Sequence, residues 1–122
     1  MKKVIVLSIV VIASLFSTSA VAQKVKTIKL EQTTGDFSVH GLVLSEGDYI
    51  FEIANNGVDH EVGFVIAPEG KTDQAHHIKS GYVKEIVKNG NSSTTGLVSL
   101  KKGKYVYFCP LNPTPQYSII VE

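Results

Sequence analysis

Gly103-Lys104-Tyr105-Val106-Tyr107-Phe108-Cys109-Pro110-Leu111-Asn112-Pro113-Thr114-Pro115-Gln116-Tyr117-Ser118-Ile119-Ile120-Val121-Glu122 is the stretch that decides how the rest of the chain is read. It divides into an aromatic strand, a proline-stiffened loop and a final strand. Tyr105, Tyr107 and Cys109 recur at period two, so a strand projects all three from one face. Cys109 is the single cysteine of the chain, and the loop behind it holds three of its four prolines. Each proline fixes φ and restricts the residue before it, so the loop is stiff before anything binds. A lone sulfur held by a stiff loop is where a metal or a reactive thiol is to be sought first.

Working outward, the preceding chain is punctuated as a series of short strands. Residues 25–31 alternate, and Thr33-Thr34-Gly35-Asp36 is a turn. Residues 37–44 alternate as a second strand with a mixed face. Ser45-Glu46-Gly47-Asp48 turns into a third strand whose inward face is Tyr49, Phe51 and Ile53. Asn55-Asn56-Gly57 is a stop signal, and Val62, Phe64 and Ile66 make a fourth strand. From Pro68 to Ser93 the chain is polar, with glycines at 70, 81 and 90 and no sustained alternation. There Asp73 is placed to cap a short helix through Lys79, while Tyr82–Lys88 fits a strand or a helical turn. Leu97–Leu100 is a further strand. Short strands between Gly, Asn and Asp turns imply an all-β Greek-key sandwich or barrel, with an irregular or short-helical excursion at about 68–93. Leu44-Ser45-Glu46-Gly47-Asp48-Tyr49 and Leu100-Lys101-Lys102-Gly103-Lys104-Tyr105 share the pattern Leu-x-x-Gly-x-Tyr. It reads as one turn-into-strand device used twice.

At the other end, Lys2 and Lys3 precede an apolar run from Val4 to Phe16 and then Ser17-Thr18-Ser19-Ala20-Val21-Ala22. A charged start, an apolar run too short to span a bilayer and a small-x-small site describe a secretory signal peptide over 1–22, cut after Ala22. No cysteine follows the cut, which argues against a lipid anchor there. Removing the first 22 of 122 residues leaves 100, the size of one domain with one modest core. Without Lys2 and Lys3, ten lysines face eleven carboxylates, and the chain has no arginine. That balance excludes the basic patch a nucleic-acid binder needs. An exported small domain often carries disulfides, but one cysteine cannot pair internally. It is a free thiol, an intermolecular bridge, a metal ligand or an inert buried side chain.

Asn55-Asn56-Gly57-Val58-Asp59-His60 sets a histidine just after a turn, and Gly103-x-Tyr105-x-Tyr107-x-Cys109-Pro110 sets a cysteine at a strand end. With this spaced pair the chain, over residues 23–122, resembles the cupredoxins, the small blue-copper fold. The resemblance implies a Greek-key sandwich with His60 as an imidazole ligand and Cys109 as the thiolate of a copper site. Asn55 or Asn56 would then tie the two loops by hydrogen bonds. Copper moving between two oxidation states is suited by a trigonal His₂Cys set with a weak axial ligand. The chain departs from the family pattern after Cys109: residues 111–122 hold no His and no Met, and Gln116 stands near the expected axial position. Three outcomes follow. His76 or His77 completes the site; copper is held with an open position by His60, Cys109 and Gln116, with or without Glu61; or the ligand set has decayed.

Plainer roles stand beside these. His60 packs at a loop end, His76 and His77 are a solvated pair whose side chains diverge, and His40 is structural or exposed. The lysines at 101, 102 and 104 form a solvated turn or steer an acidic redox partner. The functional expectation is an exported, non-enzymatic copper-binding protein of electron transfer or copper handling, periplasmic or secreted, with a possible redox partner protein. The alternative is a metal-free β-sandwich module. An enzyme with Cys109 as nucleophile and His60 as base lacks a visible orienting group.

Overall fold

The computed structural model describes residues 24–122, so the leader expected over 1–22 lies outside the described residues. The order of strands is β1 (Lys26–Thr33), β2 (Asp36–Phe37), β3 (Leu42–Leu44), β4 (Gly47–Asn55), β5 (Val65–Pro68), β6 (Ser92–Thr94), β7 (Val98–Leu100), β8 (Gly103–Phe108) and β9 (Tyr117–Val121). One sheet runs β2-β1-β4-β6, with β7 also on β4, and the other runs β3-β9-β8-β5. β1 lies parallel to β4 with Gln32 opposite Asn55, and β8 lies antiparallel to β9 with Tyr107 opposite Tyr117. This is the two-sheet, all-β architecture expected from the spacing of the turns.

The core lies where the inward faces meet. Along β4 the residues Tyr49, Phe51, Ile53 and Asn55 are buried and their neighbours half-buried, as a period of two requires. Phe37, Phe64 and Tyr107 interlock with them. The Phe37 and Tyr107 rings meet edge to face at 5.0 Å, and Phe51 and Phe64 are 5.5 Å apart. Each fully buried aromatic side chain contributes on the order of 2–3 kcal/mol of transfer free energy.

The repeated Leu-x-x-Gly-x-Tyr is one device in fact. Tyr49 donates its hydroxyl to the carbonyl of Ser45 (2.7 Å), and Tyr105 donates to that of Lys101 (2.9 Å), each four residues back. Gly47 and Gly103 take φ of 158° and 154°, values that side-chain-bearing residues rarely adopt. The Lys102 N–H donates to the Glu46 carboxylate, which links the two turns.

Several local expectations are corrected. Residues 37–44 do not form one strand: β2 ends at Phe37, and the chain crosses to the second sheet through Ser38–Gly41. The Gly41 N–H is held there by the Tyr107 hydroxyl at 3.0 Å. Alternation fails over residues 62–67 because all six are buried, and the fourth long strand shrinks to β5. Val62 forms only an isolated bridge with Val87. The excursion holds two 3-10 turns, Gln74–His76 and Lys79–Gly81, and Asp73 makes no side-chain cap. Its carboxylate turns instead to His76 Nδ1 at 2.8 Å. Ser92–Thr94, a polar run without hydrophobic alternation, pairs with β4 as β6. Among the described residues no helix is long and apolar enough to cross a membrane.

Candidate metal centre

β4 and β8 deliver their ends to one pole of the sandwich. β8 stops at Phe108, and Cys109 follows as the first residue of the stiff loop. Its side chain is 1% exposed. Two backbone N–H groups, from Gly63 and Asn112, donate to its Sγ, each at 3.3 Å. Gly63 lies three residues past His60, so the two loops singled out in the sequence meet at the sulfur. The Cys109 N–H is itself held by Thr114 Oγ1 at 3.1 Å, which fixes the loop from its far side.

His60 lies on the same pole but is exposed. Its Nδ1 is 3.0 Å from the Glu61 carbonyl oxygen. A carbonyl only accepts, so Nδ1 carries the proton and Nε2 is the lone-pair nitrogen of the neutral ring. The ring stands in a shallow depression lined by Asp59, His60, Glu61, Lys88 and Asn89, and Cys109 is not part of that lining. Gln116 is exposed, one residue before β9. The structure therefore brings the two loops together at the sulfur, with Cys109 buried and His60 and Gln116 exposed. Among the described residues no group of three His, Cys, Asp or Glu is arranged to hold a metal ion.

The other histidines are accounted for. His77 is half-buried, not solvated. Its Nδ1 meets the Tyr82 hydroxyl at 2.8 Å and its Nε2 the Thr72 carbonyl at 2.9 Å, with the ring edge on Phe108. Both nitrogens are spent pinning the excursion. His76 is exposed beside Asp73. His40 stacks on Tyr117 at 4.5 Å and meets Asp36 at 3.2 Å. The Tyr117 hydroxyl donates to Asp36 at 2.5 Å. That hydrogen bond pushes the Tyr117 phenol up to about 12 and is the first cause holding the Asp36 carboxyl below its ordinary value.

Asn55 is the asparagine that ties. Buried at 2%, it donates to the carbonyls of His60 (2.9 Å) and Val87 (3.2 Å) and accepts from the Val58 N–H. It therefore binds the His60 loop to the Tyr82–Lys88 segment. The sequence reading passes over Gln32, Gly63 and Asn112, which close the pole. Gln32 had a signal: it continues the core-facing register of Ile28 and Leu30, where a polar side chain is out of place. Asn112, between Leu111 and Pro113, looks like ordinary turn chemistry.

Comparison with known proteins decides the family. The cupredoxin-like domain model matches residues 5–121. This chain belongs to the cupredoxin-like family. The fold is similar to auracyanin A, described as a "blue" copper protein from the green thermophilic photosynthetic bacterium Chloroflexus aurantiacus. The TM-score is 0.65 at 12% identity, covering 81% of this chain and all of that one. Auracyanin B follows at a TM-score of 0.61 and 13% identity, covering 80% of this chain and 88% of that one. Dithionite-reduced auracyanin from the photosynthetic bacterium Roseiflexus castenholzii gives 0.60 at 13% identity, covering 79% and 96%. At such identity the likeness is one of fold. No curated protein sequence matches the chain.

Copper is the metal this family implies. The cradled sulfur fits a soft copper ion, and an imidazole lies on the adjoining loop. For a trigonal two-imidazole set, His77 is already spent and residues 111–122 offer no imidazole.

Proposed function

We propose that the domain is an exported copper-binding member of the cupredoxin-like family, acting without enzymatic chemistry in electron transfer or copper handling. One observation carries the reading: the single sulfur sits where the two loops meet, with two backbone N–H groups pointing at it. Cys109 would hold the ion as thiolate. His60, through Nε2, and Gln116, through its amide oxygen, would complete the set from their exposed positions. A soft sulfur with few further donors suits the monovalent ion. Copper bound there supplies one-electron chemistry. The protein's own part is to keep the sulfur dry and the loops fixed, so that little rearranges when charge changes. The buried thiol speaks against Cys109 as an enzyme nucleophile, since a side chain 1% exposed offers a substrate no approach. Export, to a periplasm or beyond the cell, is supported by the leader pattern of residues 1–22.

The test is a titration of the metal-free domain with buffered Cu(I). One equivalent should bind per chain. Cys109→Ser should weaken binding by more than about 100-fold, since even partners outside the ligand set cost 10–100-fold. Undiminished uptake by Cys109→Ser would move the site elsewhere.

A metal-free sandwich module is the second reading. It is favoured by the buried hydrogen bonds that close the pole around Cys109. It predicts no uptake by the wild-type chain and one melting temperature with and without copper.

A further inference from the structure

The hydrogen bonds at the pole form a closed ring. Cys109 Sγ accepts from the Gly63 N–H, the Gly63 carbonyl accepts from Gln32 Nε2 (2.7 Å), Gln32 Oε1 accepts from Asn112 Nδ2 (3.0 Å), and the Asn112 N–H returns to the sulfur. Gln32 is 0% exposed and Asn112 2%. The second proton of Asn112 Nδ2 goes to the Thr33 carbonyl at 2.9 Å, and its Oδ1 accepts from the Gly35 N–H at 2.7 Å. Both amide protons are therefore used, and the oxygen, the atom through which a carboxamide binds metal, is engaged. The ring joins β1, the loop after β4 and the Cys109 loop, segments 31 to 80 residues apart in sequence.

We propose that the Gln32–Asn112 pair is the tie that fixes the Cys109 loop, standing where a second imidazole bound to copper would do that work. The pole is then set by the protein alone. Asn112 follows Cys109 by three residues on the same short loop and touches the sulfur through its own N–H. A side chain there faces the end of β1, where it finds the Gln32 amide in place of an ion. Two buried carboxamides satisfy each other and three backbone groups, and removing either leaves the remainder desolvated and unpaired. Any copper reaching Cys109 has no ligand from position 112. The tie itself holds whether or not copper binds, so it stands apart from the preceding proposal.

The experiment is a cycle of Gln32→Leu, Asn112→Leu and the double variant, melted as chelator-treated, metal-free protein. Each single variant should lower the melting temperature by about 10 °C or more. The double variant should lose clearly less than the sum, because two apolar groups leave each other nothing unpaired. Singles within about 2 °C of wild type, or strictly additive losses, would overturn the tie. So would a wild-type melting temperature that collapses when copper is chelated, since metal would then do the fixing. Asn112→His probes the place directly. With Cu(II) it should gain a visible thiolate-to-copper band that wild type lacks. A variant that folds yet stays colourless would overturn the placement, and if it does not fold, the leucine cycle decides alone.

Discussion

The two ends of the sandwich are built by different means. At the end where β4 and β8 begin, Tyr49 and Tyr105 each reach back four residues to a carbonyl. At the end where they finish, the Cys109 pole is held by bonds between residues 31 to 80 apart. The first end is a local device stamped twice, and each copy forms within a single turn. The second exists only once three distant segments have come together. Local construction tolerates loss, because each tyrosine's bond closes within its own turn and the Lys102–Glu46 bond that joins the turns is exposed to water. A buried ring does not, because each member satisfies the next.

The largest expected effect is therefore at the pole. Asn112→Ala leaves the Gln32 oxygen, the Gly35 N–H and the Thr33 carbonyl without their partner. It should cost about 3 kcal/mol, read as a midpoint shift in urea unfolding. A cost under about 1 kcal/mol would erase the contrast between the ends.

Next come the turns. Tyr49→Phe should cost about 1 kcal/mol, the worth of one hydrogen bond. Tyr105→Phe should cost less, because its bond is exposed to water. Equal and large losses in both would show that the turns, too, act as a unit.

A third effect lies beside the pole, at Tyr117, opposite Tyr107, and Asp36, next to Gly35. The Tyr117 phenol is raised from 10.0 to about 12. A raised folded value stabilises fully below pH 10 and is lost as pH climbs through 10 toward 12. Asp36 runs the other way: its lowered value stabilises above pH 3.8 and fades as pH falls below that. Tyr117→Phe should flatten both limbs, checked by stability against pH. Limbs unchanged in the variant would place the dependence elsewhere.

The smallest effect is at His60. The ring is exposed and bonds only its neighbour's carbonyl. His60→Ala should change metal-free stability by less than about 0.5 kcal/mol, while weakening Cu(I) binding by about tenfold or more. A marked loss of metal-free stability would make the ring structural.

The same contrast explains what the sequence disclosed. The Leu-x-x-Gly-x-Tyr turns, the β4 inward face and the Gly103–Glu122 unit were legible because glycine, alternation and tyrosine spacing act over a few residues. The meeting of the two loops was legible from His60 and Cys109 together. The break at Ser38–Gly41 was not, because the chain changes sheets there through a long-range bond to the Tyr107 hydroxyl. Nor was the polar strand β6, which forms by pairing with β4. The ring at the pole was hidden for the same reason. Gln32 and Asn112 are 80 residues apart, and nothing near either names the other.

The most direct test of the shared sulfur is amide hydrogen exchange in wild type and Cys109→Ala. The amides of Gly63 and Asn112 should be slow in wild type and accelerate together in the variant by about tenfold or more, while core amides of β4 hold their rates. Unchanged protection of both amides would mean that the sulfur is not the point where these loops meet.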